Sequence, residues 1–169
     1  MKGLIRLRKT VEPSDLDRVK EITSSTGVFN DEEVAVACEL LEECLQKAEK
    51  SGYFFIFAYW NTEVAGYVCY GPIMGTDHRF YLNWIAVHKQ YQEKGVGKCL
   101  LKAAEEDMRL RGAKKIFVET SSRTVYHRAR RLYLRNGYKL DACVKDFYSK
   151  DDDRLIFSHT IFPDQPLSV

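Results

Sequence analysis

Residues 84–104 read WIAVHKQYQEKGVGKCLLKAA. A β-branched apolar run, Ile85–Val87, gives way to polar residues and then to two glycines, Gly95 and Gly97. Beyond them Leu100, Ala104 and Met108 recur at helical spacing. This is a strand, a glycine turn and a helix. The first amides of such a helix have no intrahelical partner and converge with the positive end of its dipole. Glycines remove the Cβ atoms that would hold an anion away, and Lys94 and Lys98 add positive charge. The stretch reads as a cradle for a phosphate.

The flanking sequence places this unit in a mixed α/β order. Upstream, GLIRLRK (3–9) alternates and meets Glu12-Pro13-Ser14-Asp15, a helix start, with Thr26-Gly27 as its stop. Asn30-Asp31-Glu32-Glu33 suits the positive end of a second helix carrying Val34, Cys38, Leu41 and Leu45. YFFIFAY (53–59), VAGYVCYGPI (64–73) and FYLNWIAV (80–87) are three strands whose short connections favour antiparallel pairing. Downstream of the 95–111 helix, KKIFVET (114–120) is a buried strand, and Lys102, Glu105 and Arg109 lie off the helix's apolar stripe. TSS (120–122) is positioned to cap a helix in which Tyr126, Ala129 and Tyr133 share a face and which Asn136-Gly137 ends. YKLDACVKDFY (138–148) and RLIFSHTIF (154–162) close the chain as a hairpin around an acidic turn, 151–153, expected to be solvated. No repeat or linker interrupts the series, so one domain over 1–169 is expected.

Composition narrows the function classes. A net charge of +2 on 169 residues gives no ground for nucleic acid as partner. The five cysteines are odd in number and form no CxxC pair; His78, His88, His127 and His159 do not cluster with them. Buried free thiols are expected, and no metal site. The N-terminus lacks the apolar core of a signal peptide and no long apolar run occurs, which points to a cytoplasmic protein without a membrane span. The glycine turn does not fit a P-loop, because Cys99 follows Gly97-Lys98, nor a full GxGxxG, because no third glycine follows. Glu119, ending the next strand, keeps a dinucleotide site open at this point.

Val87-x4-Gln92-x2-Gly95-x-Gly97 resembles the acyl-CoA-binding motif of the GNAT superfamily of N-acetyltransferases. Ala129-x2-Leu132-Tyr133-x2-Asn136-Gly137-Tyr138 resembles that superfamily's second signature, and the likeness runs from about residue 4 to 162. The resemblance implies the GNAT fold: a central, mostly antiparallel sheet of about seven strands flanked by four helices, with strands 4 and 5 splayed to admit acetyl-CoA. It implies transfer of an acetyl group to a primary amine by direct attack in a ternary complex. A small-molecule acceptor is the first expectation; a protein N-terminus or lysine, or a non-catalytic acyl-CoA-binding module, are the alternatives. Members of the superfamily often form homodimers.

Residue roles follow from the resemblance. The pyrophosphate is expected on the amides of Glu93, Lys94, Gly95, Val96, Gly97 and Lys98, next to Gln92, and the pantetheine arm along Ile85, Ala86 and Val87. Arg128 and Arg131, three apart, are expected at the phosphates, and Ser122 and Tyr126 at the pantetheine or adenosine. Tyr133 is the candidate general acid. Tyr81 stands where related protein acetyltransferases carry an acid, so Glu119 is the candidate base, with an ion pair as its other reading. Phe29, Tyr81, Asn83, Trp84, Asp146 and Tyr148 are candidate acceptor contacts; rings plus a carboxylate suit a small cationic amine. Phe147 is expected in the core.

Overall fold

The computed structural model describes residues 3–161. The expected domain bounds of 1–169 and the strand end at Phe162 reach beyond these. Among the described residues a seven-stranded sheet runs in the order β1-β2-β3-β4-β5-β7-β6. Its strands are β1 (Ile5–Arg8), β2 (Phe54–Trp60), β3 (Glu63–Pro72), β4 (Arg79–Val87), β5 (Lys115–Ser121), β6 (Lys139–Ser149) and β7 (Asp152–Thr160). The helices are α1 (Asp15–Ser25), α2 (Asp31–Lys47), α3 (Val96–Leu110) and α4 (His127–Arg135). Every pairing is antiparallel except β4–β5, which is parallel. The expected mixed fold and its splay are both present.

Two cores sit on opposite faces of the sheet. Phe55 and Phe57 of β2 point to α1 and α2, where Val19, Ile22, Ala37 and Leu41 are buried. Ile56 and Ala58 point to the other face, where Leu100, Leu101, Ala104 and Met108 of α3 are buried. Each fully buried Leu or Ile contributes about 2 kcal/mol. The amphipathic pattern of α3 has one exception: Glu105, read above as part of a polar stripe, is fully buried. Its Oε2 accepts from Lys102 at 3.1 Å, while Oε1 and the nearby Tyr138 hydroxyl have no partner.

β4 and β5 pair over only three residues: Arg79 with Lys115, Phe80 with Ile116 and Tyr81 with Phe117. Beyond Tyr81 they part, and β5 stays paired to β7 along its length. The free edge of β4 from Leu82 to Val87 is therefore left without a strand. A bulge sits where the split begins. Tyr70 of β3 pairs with Leu82 but Cys69 pairs with Trp84, so Asn83 is an extra residue. It inverts the facing of everything after it: Phe80 and Leu82 join the α3 core, and so do Ile85 and Val87 rather than Trp84 and Ala86.

Several local expectations change. Helix α4 begins at His127 with no side-chain cap, because Thr120 and Ser121 belong to β5. Helix α2 does have its capping box: Asn30 Oδ1 accepts from the Glu33 amide at 2.9 Å, and Glu33 Oε2 accepts from the Asn30 amide at 2.8 Å. Gly27 and Gly137 end α1 and α4 at φ 67° and 88°, left-handed values that favour glycine. Cys44 and Cys69 are buried and Cys38 and Cys99 partly so, but Cys143 on the edge strand β6 is exposed, against the expectation of buried thiols. Phe147 is 49% exposed rather than in the core; it packs edge-on to Tyr148 and under the Arg154 guanidinium.

Candidate active site

The parting of β4 and β5 opens a cavity of about 840 Å³ that passes from one face of the sheet to the other. One wall is Tyr81–Ile85 of β4 and the facing wall is Val118–Ser121 of β5. Ala129 and Tyr133 of α4 close the α3 side; Phe29 and the start of α2 close the other. Tyr148, Asp152 and Arg154 of the closing hairpin complete it.

Glu119 sits in the β5 wall. Its Oε1 accepts from the Tyr81 hydroxyl at 3.2 Å and is ion-paired with the Arg154 guanidinium. Glu119 thus forms an ion pair, and the Tyr81 hydroxyl donates to the same carboxylate oxygen. Tyr133 is 4% exposed and packs against Tyr138 and Phe157, with ring centroids 5.7 and 6.2 Å away. Four phenols line the cavity, Tyr81, Tyr126, Tyr133 and Tyr148, and each is held on its protonated side, by burial first. They are proton donors there. Two buried N–H groups of lining residues lack a partner, Trp84 Nε1 and Arg154 Nε.

The glycine turn lies at the α3-side end of the splay. Gly95 has φ +84° and a Cβ there would have nothing within 4 Å, so this conformation faces open space. Gln92 Nε2 donates to the Val87 carbonyl at 3.2 Å, tying the loop to the end of β4. Arg128 of α4 reaches across to Glu93 at 3.3 Å and to Gln92 Oε1. Lys94 lies over the Trp60 and Tyr91 rings at 5.2 and 5.3 Å. Amides that start a helix, a glycine with room above it and a neighbouring guanidinium fit a pyrophosphate, and the unpaired β4 edge fits an extended arm.

Other expected positions fall elsewhere. Ser122 does not line the cavity; its Oγ accepts from the Asp153 amide at 2.8 Å, holding the start of β7. Asp146 is also off the cavity: its Oδ1 accepts from the Asp151 amide at 2.7 Å, bracing the hairpin at a residue with φ 53°. Arg131 is exposed on α4, and Arg130 instead donates to the carbonyls of Ser121 and Arg123, both at 2.8 Å. Phe29, Tyr81, Asn83, Trp84 and Tyr148 do line the cavity.

Sequence reasoning missed five charged lining residues, Glu32, Glu33, Arg123, Asp152 and Arg154. Asp152, read as part of a solvated tip, is 7% exposed; it bonds the Ser121 hydroxyl and pairs with Arg123 at 3.3 Å. Glu32 and Glu33 were read only as helix-start acids. The signal was present in NDEE and DDD, but local reading assigns both runs to caps and turns.

The sequence profile of the acetyltransferase (GNAT) family matches residues 16–138. A crystal structure from Desulfovibrio desulfuricans, of a protein assigned to the GNAT family of acetyltransferases, shares 39% identity at TM-score 0.90, covering 93% of this chain and 99% of that one. The ribosomal-protein-S18-alanine N-acetyltransferase of Escherichia coli is 20% identical at TM-score 0.74, with 94% of each chain covered. An aminoglycoside 6'-N-acetyltransferase crystallised with coenzyme A is 15% identical at TM-score 0.74, covering 95% of this chain and 99% of that one. No curated protein matches the chain. Among the described residues no helix is long and apolar enough to cross a membrane, and no group of three or more His, Cys, Asp or Glu is arranged to hold a metal ion.

Proposed function

This chain belongs to the GNAT acetyltransferase family, and we propose that it is an acetyl-CoA-dependent N-acetyltransferase acting on a small primary amine. The observation that carries the reading is the unpaired β4 edge, Leu82–Val87, running from the cavity toward the Gly95 turn. Acetyl-CoA, when bound, supplies an acyl thioester to this cavity. The backbone of Ile85–Val87 binds an extended arm as an added strand. The amides of residues 93–98 bind the pyrophosphate, and Arg128, already beside Glu93, adds charge to it.

Glu119 takes a proton from the acceptor ammonium, and Tyr81 and Arg154 fix the orientation of its carboxylate. Tyr133 Oη holds a proton for a departing thiolate. Burial moves the phenol upward from its ordinary value of about 10, so Tyr133 Oη keeps its proton until a thiolate forms beside it. The test is release of free thiol from acetyl-CoA across an amine panel, with the acetylamide identified by mass. Turnover with at least one amine supports the reading. Binding of acetyl-CoA with no thiol release from any amine would favour a non-catalytic module.

A further inference from the structure

The cavity carries a charge opposite to that of the chain. Its lining holds four carboxylates, Glu32, Glu33, Glu119 and Asp152, against two guanidiniums, Arg123 and Arg154, on a chain of net charge +2. Both guanidiniums are already neutralised inside it: Arg154 by Glu119, and Arg123 by Asp152. Glu33 is different. Its oxygens accept only from neutral donors, the Asn30 amide at 2.8 Å and the Tyr126 hydroxyl at 3.3 Å. The start of α2 supplies about half a positive charge, less than a carboxylate's full negative one.

Aromatic rings surround that carboxylate. Tyr126, bonded to Glu33, meets Phe29 edge-on at 6.1 Å, and Phe29 packs on Trp84 at 5.0 Å. The Trp84 ring itself lines the cavity at this corner, beside Phe29. Arg123 lies over the Tyr126 ring at 5.5 Å but is paired with Asp152, so Glu33 has no cation of its own beside the Phe29 and Trp84 rings, and such a carboxylate binds an ammonium group. Glu33 starts α2, whereas Glu119 stands in the β5 wall, so the cavity offers two separate anionic positions.

Resting on the acetyltransferase reading, we propose that the acceptor is a diamine: one nitrogen is acetylated near Glu119 while a second ammonium sits at Glu33, among Phe29, Trp84 and Tyr126. A carboxylate-tailed amine is disfavoured, because the charge of each guanidinium in the cavity is already matched, Arg154 by Glu119 and Arg123 by Asp152.

The test compares cadaverine, n-hexylamine and ε-aminocaproate, three primary amines of matched length with a cationic, neutral and anionic tail, on the full chain. The expected order of kcat/KM is cadaverine first and ε-aminocaproate last, with cadaverine above hexylamine by about tenfold, the scale of a desolvated cation–ring and carboxylate contact. In Glu33→Gln the capping box survives, because glutamine also serves at that position, and the cadaverine-to-hexylamine ratio should collapse toward one. Turnover of hexylamine or ε-aminocaproate as good as that of cadaverine, or a ratio unchanged by Glu33→Gln, overturns the diamine proposal and leaves acetyl transfer standing. No thiol release with any amine overturns both.

Discussion

Two tyrosines separate catalysis from packing. The Tyr133 and Tyr138 rings lie 5.7 Å apart and both residues are almost wholly buried, but only Tyr133 lines the cavity. Replacing either by Phe removes one oxygen and leaves the ring. The Tyr138 hydroxyl is buried with no partner, and an unpaired buried hydroxyl costs about 1–3 kcal/mol. Tyr138→Phe should therefore hold or raise stability, by up to about 1 kcal/mol once partial compensation by the nearby Glu105 is allowed for. Burial is the cause that shifts Tyr133, with no hydrogen-bond partner contributing, so Tyr133→Phe should likewise leave stability within about 0.5 kcal/mol. Activity should part them. Loss of a positioned general acid typically costs about 10²–10⁴-fold in rate, so kcat should fall by at least about 100-fold in Tyr133→Phe and stay near wild type in Tyr138→Phe. Urea melts and steady-state thiol release on both variants give the four numbers. A Tyr133→Phe enzyme with wild-type kcat, or equal losses in both variants, would refute the assignment of the proton to Tyr133.

Glu119→Gln keeps an acceptor for Tyr81 and Arg154, and its ion pair is about a quarter exposed, so stability should drop by less than about 1 kcal/mol. Its kcat should fall by about 100-fold; rates within twofold of wild type would move the base elsewhere. Asp107 bears on stability against pH. Burial pushes its carboxyl up, but hydrogen bonds from Arg111, Lys9 and Tyr70 together hold it down at about 2. The unfolded value is about 3.9, so the group adds about 2 kcal/mol above that pH and loses it as pH falls toward 2. The stability gap between wild type and Asp107→Asn should be constant above pH about 5 and narrow between about 4 and 2; a gap that stays constant to pH 2 contradicts the carboxylate's role. Gly95→Ala meets no atom within 4 Å, so it should cost only the left-handed backbone, about 1–2 kcal/mol, while weakening CoA binding measured by calorimetry. Unchanged CoA affinity would show that the turn does not face the phosphates.

The element order was legible because the unbroken apolar run Phe54–Trp60 marks a strand buried on both faces, and the helical spacing of apolar residues in α3 marks a single buried stripe. The glycine turn was legible for the same local reason. The Asn83 bulge was not: FYLNWIAV is apolar on both faces, so one extra residue leaves no trace in its pattern. The charged lining was hidden differently. Glu33 satisfies a helix cap and Asp152 a hairpin turn, so each has a complete local explanation that its position in the fold then exceeds. Asp146 shows the converse, a carboxylate whose sequence neighbours suggested a ligand but whose backbone bond to Asp151 fixes it as a turn residue.

Amide hydrogen exchange with and without CoA tests most directly the claim that the parted strands hold the cofactor by their backbone. CoA should slow exchange in two segments, Ile85–Val87 at the free edge of β4 and Gly95–Lys98 at the start of α3, while the paired segment Arg79–Tyr81 stays as it was. Protection confined to other parts of the chain, or none at saturating CoA, would contradict it.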